Sequence, residues 1–122
     1  DVSVPVSKVA DLLKRGMASA DALIPGIRPC PFGHVGDGNI HFNFTQPATM
    51  DKQAYLAQWE SLNTVIHDIV AELGGSISAE HGIGQLKRDE LAHYASVEKL
   101  KLLHAIKAAI DPDGRLNPGK VV

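Results

Sequence analysis

An α+β fold, with an antiparallel sheet covered on one face by two helices, follows from three features of this 122-residue sequence. Residues Asn39 to Thr45 alternate strictly, with Asn39, His41, Asn43 and Thr45 at one parity and Ile40, Phe42 and Phe44 at the other. That is the period-2 pattern of a half-buried strand. Tyr55, Leu56, Trp59, Leu62, Val65, Ile66, Ile69, Val70 and Leu73 recur at a period near 3.6, which marks an amphipathic helix. Finally, the segments fall in the order β-α-β-β-α-β, which is the split-βαβ, or ferredoxin-like, arrangement. Two further helices are expected after it.

Taken in order, Val2 to Val6 alternates as a strand that must end at Pro5, since proline cannot donate to a ladder. Ser7 offers an N-cap to a helix carrying Val9, Leu12, Leu13, Met17 and Ala20, which Pro25-Gly26 ends. Ile27 to Val35 reads as a strand that Pro29 and Pro31 confine to an edge. Asp37-Gly38 is the dipeptide of a two-residue type I′ hairpin. That turn sets Val35 opposite Ile40, His34 opposite His41 and Phe32 opposite Asn43, with the two histidine Cβ atoms roughly 5 Å apart. A slip of one residue would send the histidines to opposite faces. Asp51 caps the long helix, which Gly74-Gly75 stops. Ser76 to Glu80 alternates as a short fourth strand. Ile40, Phe42, Phe44, Ile77 and Ala79 should lie under the helices, and His34, His41, Asn43 and Glu80 should share the bare face. A helix from about Gln85 to Tyr94 and another from Val97 to Ile110, capped by Ser96, complete the chain, with Asp111-Pro112-Asp113-Gly114 as a turn.

Composition narrows the function. A hydrophobic content of 44%, charged residues at 21% and a formal charge of −2 describe an ordinary globular domain with no polyanion-binding signal, so nucleic acid is not an expected partner. Cys30 is the single cysteine, which excludes an internal disulfide. No apolar run approaches the roughly 20 residues that span a bilayer, and no signal peptide opens the chain. A cytoplasmic or organelle-matrix location is the expectation. The absence of an initiator Met suggests a piece of a longer protein.

Chemistry concentrates on the bare sheet face. His34 and His41 supply two imidazole nitrogens and Glu80 a carboxylate, the ligand set of an open site for Zn²⁺, Mn²⁺ or Fe²⁺. The alternative is that the three side chains only hydrogen-bond on a polar surface. His81 follows Glu80, and its residue type suits a third nitrogen ligand, a helix-entry residue or a general base beside a metal. Gly82 and Gly84 form a weak G-x-G signal for close approach to a ligand. His67, His93 and His104 read as surface or boundary residues of helices, Trp59 as part of the core stripe, and Asn117 to Lys120 as a frayed tail.

Three motifs occur together: G-H-V-G-D-G-N-I-H-F-N at 33 to 43, S-I-S-A-E-H-G-I-G at 76 to 84 and D-P-D-G-R-L-N-P-G-K at 111 to 120. With these the chain resembles the C-terminal domain of the FAD-linked oxidases, the group that includes D-lactate, D-2-hydroxyglutarate and glycolate dehydrogenases. The resemblance spans residues 1–122, with 81–122 as a helical C-terminal segment. It implies that His34, His41 and Glu80 bind a divalent metal, usually zinc, that His81 is the general base, that Asn43 helps hold substrate, and that Asn117 and Lys120 lie against FAD. It also implies a reaction in which a metal-bound D-2-hydroxy acid loses its hydroxyl proton to His81 and its C2 hydrogen as hydride to the flavin, giving a 2-oxo acid. The flavin would be held mainly by an upstream domain of the same protein, electrons would pass to an acceptor the motifs do not specify, and apolar surface left bare would favour self-association. Asn43 is like the D-2-hydroxyglutarate branch and the N-P-G-K ending like the glycolate branch. The competing expectation is a stand-alone ferredoxin-like module that binds a metal or small anion without catalysis.

Overall fold

A computed structural model describes all residues 1–122, which form two compact units, Asp1–His81 and Gly82–Val122. The first unit contains a three-stranded antiparallel sheet in the order β1-β3-β2, formed by β1 (Val2–Ser3), β2 (Arg28–His34) and β3 (Asn39–Thr45). A single bridge between Ser3 and Ser76 adds the last segment on the outer side of β1. The spatial order is therefore that of a ferredoxin-like sheet whose fourth strand is reduced to one residue.

The α+β reading holds. Pro29 and Pro31 sit on the edge strand β2, where a missing donor leaves no ladder bond unmade. Helix α1 (Val9–Leu23) and helix α3 (Trp59–Glu72) cover one sheet face. Their core joins Val2, Val4, Val9, Leu12, Ile40, Ile66, Ile69 and Val70, with Phe42 and Phe44 packed against it. Gly16 brings α1 close to the sheet: a Cβ there would fall 2.6 Å from the Phe42 ring.

Several local expectations are corrected. The hairpin is not a two-residue turn. Val35–Asp37 makes a 3₁₀ turn and Gly38 alone takes the left-handed conformation, at φ 73°. Four residues connect the strands, and the register moves by two: His34 pairs with Asn39, Gly33 with Ile40, Phe32 with His41 and Cys30 with Asn43. Because strand side chains alternate with period 2, a two-residue shift leaves every side chain on its expected face. Ser7 lies inside a 3₁₀ turn, Val6–Lys8, and caps nothing. Asp51 does cap, accepting from the amides of Gln53 at 2.9 Å and Ala54 at 3.0 Å, but it starts a short α2 (Lys52–Leu56) separate from α3. The break exposes Trp59, at 64%, instead of placing it in the core. His67 is buried on α3. Ile77 is buried as expected, whereas Ala79 is exposed.

In the second unit, α4 (Arg88–Tyr94) is shorter than its sequence pattern and α5 (Val97–Ile110) has the expected bounds, with Ser96 Oγ accepting from the Lys99 amide at 3.2 Å. Leu91 is buried and Leu100 and Leu103 are half-buried, but Val97, Ile106 and Ile110 are exposed. The Asp111 turn is tightly held: its side chain accepts from the amides of Arg115 at 2.8 Å and Leu116 at 2.9 Å and from Lys107 Nζ at 2.6 Å. The tail is not frayed. The Val121 amide donates to the Gly84 carbonyl at 2.8 Å, and Lys120 Nζ reaches Gln85 Oε1 at 3.1 Å.

Candidate functional site

The polar parity of β3 and the segment after Ser76 meet on the sheet face that the helices leave bare. His34 ends β2, and its Nδ1–H donates to Glu80 Oε1 at 3.1 Å. His41 Nε2 lies 3.9 Å from the same oxygen. Asn39, level with His34 in the ladder, donates its side-chain amide to that oxygen as well. Two donors, His34 and Asn39, and the more distant His41 imidazole, all from two paired strands, therefore surround one carboxylate oxygen of Glu80. Asn39 Oδ1 is buried without a partner.

Burial disfavours the charged form of Glu80, but the bonds from Asn39 and His34 and the nearby His41 and His34 imidazoles outweigh it and hold its pKa below the usual glutamate range. The carboxylate stays ionised at neutral pH. Exposure grades across the group: the His41 side chain is 18% exposed, Glu80 42% and His34 67%, so the site opens toward the end of the hairpin. The His41 ring sits between two others, 5.2 Å from Phe32 and 5.6 Å from His81 by ring centroids.

His81 does not enter the Glu80 cluster. Its Nδ1 lies 3.2 Å from Asp1 Oδ1. Asp1 carries no signal as a site residue in the sequence, yet its side chain is fully shielded and its Oδ2 accepts from the amides of Ala79, Glu80 and His81. Those three bonds explain why the expected strand through Glu80 is missing. Successive amides of a strand point to opposite sides, so three in a row converging on one atom require a bent chain.

The two imidazoles and the carboxylate are donors of the types that hold a divalent cation. His34 bonds to Glu80 while His41 stands 3.9 Å from it, and no group of three or more such side chains is preformed as a metal cluster. Asn43 is exposed on β3 and lines a cavity of about 390 Å³ with Cys30, Thr45, Tyr55, Trp59 and Asn63, a lining that does not include the histidines. Asn117 and Lys120 lie in the second unit, where Asn117 takes a left-handed φ of 47° and its carbonyl accepts from the Lys120 amide at 3.2 Å. They form a closed turn there.

The family described as FAD linked oxidases, C-terminal domain, matches residues 1–121. A D-2-hydroxyglutarate dehydrogenase of Stutzerimonas stutzeri is 40% identical over 121 residues, covering 99% of this chain and 26% of that protein. A D-lactate dehydrogenase of Anaerostipes hadrus is 36% identical over 99% of this chain and 25% of its own length. The glycolate oxidase subunit GlcD of Escherichia coli is 42% identical over 71% of this chain and 17% of its own length. The chain thus spans about a quarter or less of the curated relatives it matches. Through its motifs and a match over nearly every residue, the chain belongs to the C-terminal domain family of the FAD-linked oxidases.

Proposed function

We propose that residues 1–122 are the C-terminal substrate and metal domain of a flavin-dependent dehydrogenase that oxidises a D-2-hydroxy acid to a 2-oxo acid. The observation that supports this most directly is the meeting of His34, His41 and Glu80 on one open sheet face, with His81 beside them. His34, His41 and Glu80 would hold a divalent metal, zinc being the best match to two imidazoles and a carboxylate with open positions. A bound metal would supply a Lewis acid for the substrate's carboxylate and 2-hydroxyl, and bound FAD a hydride acceptor. For His34 Nδ1 to bind a cation, the hydrogen it now donates to Glu80 must move to Nε2, since a metal-bound neutral imidazole keeps one N–H on its other nitrogen. Asn39 keeps Glu80 oriented. His81 takes the hydroxyl proton at Nε2, the ring nitrogen not directed at Asp1.

Asn43 would contact the substrate from the next polar position of β3 after His41. Asn117 and Lys120 would face the flavin, which an upstream part of the same protein would hold. The test is anaerobic flavin reduction in the full-length protein with D-2-hydroxyglutarate, D-lactate and glycolate offered separately. Reduction by one of these and not by its L-enantiomer, where one exists, supports the reading. No reduction by any D-2-hydroxy acid contradicts it.

A further inference from the structure

Helix α5 is apolar on two sides. Leu100 and Leu103 are half-buried, while Leu102, Ile106 and Ile110 form a second row at i, i+4 and i+8. That second row is exposed, at 61%, 48% and 70%. A helix whose apolar residues are not confined to one stripe is normally covered on more than one side. Its own unit does not supply the cover. Leu91 is the one apolar side chain of residues 82–122 that is buried, and a chain of about 40 residues rarely builds a sufficient core alone. The helix is also firmly joined to the C-terminal turn. Lys107 Nζ donates to Asp111 Oδ2 at 2.6 Å and to the Leu116 carbonyl, and the Val121 amide donates to the Gly84 carbonyl at 2.8 Å. Whatever seats Asn117 and Lys120 against a flavin therefore carries the α5 row with it.

We infer that Leu102, Ile106 and Ile110 are the seat by which this unit packs on the upstream, flavin-holding part of the same polypeptide. The inference rests on the function proposed above. Size decides against a second copy as the occupant. From Leu102 to Ile110 the row runs only about 12 Å at ~1.5 Å per residue, whereas a stable complex of separate chains buries about 800 Å² on each side. A tethered partner needs far less, because the tether holds it at an effective concentration in the millimolar range. The chain spans about a quarter or less of its curated relatives, so proteins of this kind carry ample further polypeptide to supply that partner.

The test replaces Ile106 of the full-length protein with the photoreactive residue p-benzoylphenylalanine and maps the adduct by mass spectrometry. The expected adduct joins position 106 to a residue upstream of Asp1 within one polypeptide. An adduct to Asp1–His81, an adduct between two copies, or no adduct overturns the inference. Should that variant fail to fold, the same probe in place of Leu102 carries the same outcomes. Ile106→Glu gives an independent readout. It should lower the melting temperature of the full-length protein by more than about 2 °C, because the seat would bury the new charge, whereas an exposed helix position tolerates glutamate. A smaller shift overturns the inference. The result is separable from the activity. An upstream adduct in a protein whose flavin no D-2-hydroxy acid reduces keeps the seat and defeats the proposed oxidation, and an adduct elsewhere with normal reduction does the reverse.

Discussion

His34 and His41 sit diagonally across the β2–β3 ladder, His34 level with Asn39 and His41 level with Phe32. Both face away from the helices, and Glu80 reaches each of them. Diagonal neighbours on one sheet face are roughly 7–8 Å apart, which leaves a carboxylate or a cation room between the two rings.

If that gap is a ligand site, His34→Ala, His41→Ala and Glu80→Gln in the full-length protein should each lose bound metal and activity together. Added metal should restore part of the rate, since the free energy removed is binding free energy. Metal analysis of purified variants checks this. Full metal content in all three would show that these side chains are not the ligands.

Gly38 closes the hairpin where no other residue fits. Its φ is 73°, and a Cβ would fall 1.9 Å from the Val4 carbonyl oxygen, whose segment receives the β1 edge. Gly38→Ala should therefore cost at least about 1–3 kcal/mol through backbone strain, before any displacement of Val4 is counted. Chemical denaturation measures it. A loss below about 0.5 kcal/mol would mean that the turn relaxes without loosening β1.

Asp111 gives the second unit an acid-sensitive lock. The Lys107 ammonium, first, and the amides of Leu116 and Arg115 lower its pKa, against the opposing effect of burial. A carboxyl whose folded pKa is depressed contributes stability that is full above the unfolded aspartate value of about 3.9 and fades as pH falls through the lower folded value. Asp111→Asn should thus melt below the parent at pH 7, with the gap narrowing in acid. Equal melting temperatures at pH 7, or a gap that widens in acid, would contradict this.

Local periodicity revealed the sheet faces and the main helices, because alternation and the 3.6 period are properties of neighbouring residues. The hairpin register depended on torsions that the Asp37-Gly38 pair leaves open: only Gly38 is left-handed, and the connection takes four residues instead of two. The shift was even, so His34 and His41 kept their shared face. Ser76 to Glu80 alternates like a strand, and only Asp1, at the far end of the unit, draws its amides out of line. Contacts of that range leave no local pattern. The exposure of Trp59 was hidden for a related reason, since the break between α2 and α3 falls where the apolar spacing continues.

The most direct measurement of the central claim is single-turnover flavin reduction by a D-2-hydroxy acid in the full-length protein carrying His81→Ala. Retained metal and flavin are expected, with reduction slowed roughly 10²- to 10⁴-fold, the cost of removing a positioned base. Reduction at the parent's speed, or loss of metal on removing His81, would contradict it.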